Sequence, residues 1–102
     1  MQTVFKALAD PTRRKILELL MRREMTAGEI AERFPLSKPT LSGHFAVLRS
    51  ADLIASEKSG TSITYRLNLS VLEEALLGFA EGFGIGEKRK GIASRRLKSS
   101  LE

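Results

Sequence analysis

The stretch from Thr26 to Pro39 leaves this chain little freedom. Thr26 and Glu29 form a T-x-x-E capping box, in which side chains and backbone N–H groups at a helix start satisfy one another, so a short helix opens at residue 27 and turns Ile30 and Ala31 inward. Phe34 and Pro35 stop it, because proline cannot continue the backbone ladder. After only three or four residues Ser37 caps a second helix, with Pro39 tolerated in its first turn and Leu41, Phe45 and Leu48 as its buried stripe to about residue 51. Two capped helices joined by so tight a turn predict a helix-turn-helix.

The flanks fit that unit. Residues 2 to 9 set Val4, Phe5 and Leu8 at helical spacing, an amphipathic helix too short to stand without a partner surface. Asp10 and Pro11 then supply an N-cap and a first-turn proline for a helix over about 11–23, with Ile16, Leu17, Leu19 and Leu20 on one face. Beyond Asp52 the period changes. Residues 53–58 read as a strand, Ser59, Gly60 and Thr61 as a tight turn, and Ile63, Tyr65 and Leu67 alternate with polar neighbours, which makes a two-stranded hairpin, a wing. Ser70 is the expected cap of a last helix whose apolar face carries Leu72, Leu76, Phe79 and Phe83, ended by Gly82, Gly84 and Gly86. The class expected is mainly α (α+β), a winged helix-turn-helix over residues 1–86 followed by a basic tail over 87–102.

A chain of 102 residues makes one domain with a modest core, and a core shared with a second copy would strengthen it. Without cysteine there is no disulfide, thiolate metal site, thiol nucleophile or thiol switch, and the single histidine, His44, leaves no imidazole pair for zinc. No apolar run approaches the roughly 18 residues of a membrane span, and the first ten residues carry no signal-peptide core, so the expectation is a soluble, cytoplasmic protein with no cofactor. The net charge of +5 is concentrated: the tail holds Lys88, Arg89, Lys90, Arg95, Arg96 and Lys98 against two acids. Such a tail can add phosphate contacts to a nucleic-acid complex or remain a solvated terminus.

The helix after Ser37 has an unusual outer face. At about 100° per residue, the side opposite Leu41, Phe45 and Leu48 carries Pro39, Ser42, Gly43, Ala46 and Ser50, with Thr40 beside it, and all of these are small. Such a surface can approach the floor of a DNA major groove, flanked by Lys38, His44 and Arg49 within reach of phosphates or base edges. An ordinary solvated helix would carry Glu and Lys there instead of a glycine, which costs about 1 kcal/mol relative to alanine. Ser37, Lys38, Thr40, Ser42, Gly43, His44 and Arg49 are therefore the expected DNA-contacting residues, joined by Lys58 and Thr61 at the wing tip.

On the segments FKALADPTRRKILELL, MTAGEIAERF, LSKPTLSGHFAVLRSADLI and KSGTSITYRL, taken in this order, the sequence resembles the ArsR family of bacterial winged-helix repressors over about residues 3 to 83, most of all its SdpR-like autorepressor branch. The resemblance implies a homodimer in which the first and last helices of both subunits pack together, placing Val4, Phe5, Leu8, Leu72, Leu76, Phe79 and Phe83 at the interface. It implies binding to double-stranded DNA at an inverted repeat. Metal-sensing members of the family carry thiolates in the third helix or His and Asp pairs in the last. Here residues 27–33 and 71–83 contain neither Cys nor His, so the resemblance does not extend to metal or thiol sensing.

The reading is a homodimeric, sequence-specific repressor acting on its own promoter. One alternative adds an unknown effector, a small organic molecule or protein, held between the first and last helices and shifting the dimer to a low-affinity form. Another is a winged-helix module for protein, against which stands the lack of aromatic anchors on the outer face. An enzyme has no support in the residues: no carboxylate pair, nucleophile constellation or phosphate loop is present, and GFGIG at 82–86 does not follow a strand.

Overall fold

The computed structural model describes residues 2–85. Its helices are α1 (Gln2–Leu8), α2 (Pro11–Arg22), α3 (Ala27–Ala31), α4 (Lys38–Ser50) and α5 (Leu69–Gly82); its strands are β1 (Met25–Thr26), β2 (Ile54–Ser59) and β3 (Ser62–Leu67). This is the winged helix-turn-helix expected from the sequence. The basic tail, and the end of the domain at Gly86, lie outside the described residues.

Three caps fall where the sequence places them. Asp10 Oδ2 accepts from the Arg13 backbone N–H at 3.0 Å, and Ser37 Oγ accepts from that of Thr40 at 3.2 Å. In the capping box Thr26 Oγ1 accepts from Glu29 N–H at 3.0 Å while Glu29 Oε1 accepts from Thr26 N–H at 2.8 Å. The helix α3 is shorter than expected, closing in a turn after Ala31 in which Arg33 N–H meets Ile30 O at 2.9 Å.

The end of α4 explains where the period changes. Asp52 adopts φ 59°, Leu53 N–H reaches Leu48 O at 3.0 Å and Asp52 N–H reaches Arg49 O at 2.9 Å. This pair of bonds is a Schellman closure with an aspartate in the left-handed position usually given to glycine. Leu53 is fully buried at the bend, and the strand starts one residue later than expected.

Two further expectations are corrected. The sheet has three strands in the order β1-β3-β2, all antiparallel, with Met25 opposite Tyr65 and Thr26 opposite Thr64. Thr26 serves both roles because an N-cap residue already has extended dihedrals, here φ −76° and ψ 161°. At the other end of the wing Ser70 is not the cap of α5. The carbonyl of Asn68 accepts from Val71 and Leu72 N–H groups, and its side chain donates to Asp52 O at 2.9 Å, so the helix opens before Ser70.

The chain divides into two compact units, one ending at Leu72 and one beginning at Glu73. In the first, Ile16, Ile30, Leu48 and Leu53 are fully buried, and Val4, Leu17, Leu20, Met25, Leu41 and Ile54 are buried nearly as completely. Phe45 stacks on Tyr65 with ring centroids 4.4 Å apart, which fixes α4 against the wing. In the second unit Phe79 and Phe83 meet edge to face at 5.1 Å. Among the described residues no helix is long and apolar enough to cross a membrane.

Candidate nucleic-acid interface

The helix α4 sorts its residues by burial as its periodicity requires. Leu41, Phe45 and Leu48 are buried, whereas Lys38, Pro39, Thr40, Ser42, Gly43, Ala46, Arg49 and Ser50 are exposed, as is the cap Ser37. A Cβ built on Gly43 meets nothing within 4 Å, so no packing among the described residues requires the glycine. The outer face is thus a shallow surface of hydroxyls and single carbons with a cation near each end. Ser37 Oγ also donates to Thr40 Oγ1 at 2.9 Å, which holds two hydroxyls together at the N-terminus of the helix.

The wing tip is built by a two-residue loop: Ser59 pairs with Ser62, and Gly60, at φ 62°, takes the position where a positive φ is required. Lys58 and Thr61 flank it and are exposed. Beside α4, a cleft of about 260 Å³ runs between α3 and α4, lined by Ala27, Gly28, Ala31 and Leu41 with Lys38 and Ser42 at its side.

His44 departs from its expected place among the outward-facing groups. Its side chain is only 16% exposed, and Nδ1 lies 3.3 Å from Arg13 Nη1 and 3.9 Å from Asp10 Oδ2. Asp10 is held below the usual carboxylate range, first by the hydrogen bond from the Arg13 backbone N–H and further by the charges of His44 and Arg13, with partial burial opposing. Sequence reasoning found Asp10 as a cap and missed Arg13. Its guanidinium donates from Nε to Ala7 O at 2.8 Å and from Nη2 to Lys6 O at 3.1 Å, and Arg14 Nη1 donates to Leu8 O at 2.7 Å. The only sequence signal was two consecutive arginines just after a helix end whose carbonyls lack partners.

The residues expected at a subunit interface divide. Val4 is 5% exposed and belongs to the core of the chain itself. Phe5, Leu8 and Leu72 are half-buried, whereas Leu76, Phe79 and Phe83 are exposed by 46%, 51% and 67%.

Residues 10–56 match the model of the family described as bacterial regulatory protein, arsR family. The transcriptional repressor SdpR of Bacillus subtilis strain 168 is 50% identical over 76 residues, covering 74% of this chain and 84% of that protein. The arsenical resistance operon repressor of Staphylococcus xylosus is 38% identical, covering 72% of this chain and 70% of its own length. Among solved structures, an ArsR-like transcriptional regulator from Rhodococcus sp. RHA1 superposes with a TM-score of 0.72 at 31% identity, covering 94% of this chain and 90% of that one. These relatives are regulators of transcription and not enzymes. With its fold, its helix-turn-helix and these relatives in agreement, the chain belongs to the ArsR family of bacterial regulatory proteins and is a DNA-binding transcriptional regulator.

Proposed function

We propose that the protein is a homodimeric repressor that acts on its own promoter, each subunit laying α4 in a major groove of an inverted repeat whose half-sites are one helical turn, about 34 Å, apart. The observation that carries this reading is the outer face of α4, exposed along its length and bare of long side chains. In this reading Ser37, Thr40 and Ser42 meet base edges, Gly43 permits close approach, Lys38 and Arg49 take phosphates, and Lys58 and Thr61 bring the wing to the flanking backbone. His44 supports the face from behind. The dimer is closed by Phe5, Leu8, Leu72, Leu76, Phe79 and Phe83, whose apolar surface is open to a second copy to differing degrees. The repressor of Bacillus subtilis, identical at half of the aligned positions, favours repression over activation. In a chain without cysteine, control does not run through a thiolate.

Fluorescence anisotropy with the duplex upstream of its own coding sequence tests the reading against a scrambled duplex. The expected result is specific binding at about 10⁻⁸ to 10⁻¹¹ M with a steep salt dependence. Lys38→Ala should weaken both duplexes and lower the salt slope by about one, whereas Ser42→Ala should narrow the gap between them. Equal affinity for the two duplexes in the unaltered protein rejects the proposal.

A further inference from the structure

We infer that His44 is a positioning residue: its neutral imidazole, by accepting from Arg13, fixes the reading helix against α1 and α2, and its protonation breaks the link through Arg13 to α1. The inference rests on the reading that α4 meets DNA. Its geometry is independent of that reading.

The guanidinium of Arg13 behaves as a strut. Nε and Nη2 are both engaged by carbonyls near the C-terminal end of α1, at 2.8 and 3.1 Å, so its plane is set by α1 and cannot swing to follow α4. The remaining Nη1 points at His44 Nδ1 at 3.3 Å. A guanidinium only donates, so this contact is a hydrogen bond only when Nδ1 carries a lone pair, which puts the proton of the neutral ring on Nε2. One side chain thereby joins three helices, and His44 follows Ser42 and Gly43 directly in the chain.

Among the described residues the charged groups facing the ring are Arg13 and Asp10. When the ring gains its second proton, Nδ1–H confronts the donor Nη1 and the pair repels. Asp10, 3.9 Å away, becomes the only acceptor of the two. Asp10 remains a carboxylate through the range where imidazoles titrate, because the Arg13 backbone N–H keeps its proton affinity low. Protonation therefore exchanges a partner anchored to α1 for one at the start of α2. As the only histidine of the chain, His44 can be followed without interference from another imidazole.

A direct phosphate contact would have the opposite sign. A protonated imidazole facing phosphate strengthens binding as pH falls, whereas a positioning imidazole that must be neutral weakens it. Anisotropy with the promoter duplex, at constant ionic strength from about pH 8 to about pH 5.5, reads that sign. The unaltered protein should lose affinity on acidification by up to about tenfold, the size of one hydrogen bond to a charged donor less what the Asp10 contact returns. His44→Asn, whose amide oxygen replaces Nδ1 as acceptor and does not titrate, should bind with a flat pH profile. His44→Ala should be about tenfold weaker at pH 8 and equally flat. Nitrogen-15 chemical shifts of the single imidazole should place the neutral proton on Nε2. Affinity that rises on acidification, a neutral Nδ1–H tautomer, or an Ala variant indistinguishable from the Asn variant overturns the inference. An unaltered protein that does not distinguish the promoter duplex from a scrambled one overturns the proposed function instead, and the tautomer then reports on the tie alone.

Discussion

At the scale of single residues the most informative position is Gly43. Glycine in mid-helix costs about 1 kcal/mol relative to alanine, and among the described residues beyond its own helix backbone and chain neighbours nothing lies within 4 Å of a Cβ built there. The fold therefore gains nothing from this glycine. Gly43→Ala is expected to raise stability by about 1 kcal/mol in urea unfolding, and Gly43→Gln by somewhat less. If the face presses on the groove floor, the Gln variant should be the more stable protein and yet bind the promoter duplex at least about tenfold more weakly, as side-chain bulk displaces the helix from its base contacts. A Gln variant with unaltered affinity means that this face is not the one applied to DNA. Burial at 41, 45 and 48 and exposure at 42, 43 and 46 were both legible in the sequence, since helical periodicity is a local property. The inward turn of His44 was not, because its partner Arg13 stands 31 residues away and no spacing rule records that distance.

At the scale of elements the helices are fixed by their starts. Three of the four expected caps were readable because donor and acceptor lie three residues apart, and the structure places Asp10, Thr26 and Ser37 in that role, whereas Asn68 and not Ser70 opens α5. The strand β1 was missed for the converse reason: two residues give no alternation, and its pairing with Thr64 and Tyr65 is known only once the wing has folded back. Thr26 now links the two features, so Thr26→Ala should cost about 1 kcal/mol as a lost cap and also loosen the edge of the sheet. The acid limb of stability tests the same motif. The carboxyl of Glu29 is held below its usual range, chiefly by the Thr26 backbone N–H and to a lesser degree by Arg23 nearby, and that of Asp10 by the backbone N–H of Arg13. A group whose folded value is depressed stabilises the protein above its unfolded value, near 4, and loses that contribution as pH falls toward the folded value. Stability should thus be complete at neutral pH and decline below about pH 4. In Glu29→Gln, which keeps a capping box, that decline should be shallower, as followed by circular dichroism at successive pH values. An unchanged acid limb would assign the dependence to other carboxylates.

At the scale of the whole molecule the question is what covers the apolar surface that remains open. Leu76 and Phe83 are about half and two-thirds exposed, in a chain with too few residues to bury a large core of its own. In a two-fold dimer every contact occurs twice, so one substitution removes two. Fully burying a side chain such as leucine or phenylalanine is worth about 1.5–3 kcal/mol, and a lysine there would bring an unpaired charge into the contact. Phe83→Lys is therefore expected to shift the mass measured by light scattering from two chains to one. Because Phe83 is mostly exposed in the single chain but meets Phe79 edge to face, the thermal unfolding of the variant extrapolated to low protein concentration should fall below that of the unaltered monomer by no more than that ring pair, about 0.5–1.5 kcal/mol. DNA binding should fall much further than the loss of one contact allows. Tethering two reading helices raises the effective concentration of the second for its half-site, and avidity of about 10²–10⁴ disappears when the tether is cut. A single half-site duplex, which never used the second subunit, should be bound by the variant and the unaltered protein alike. A variant that remains dimeric and retains full affinity for the inverted repeat would move the subunit contact away from this end of α5.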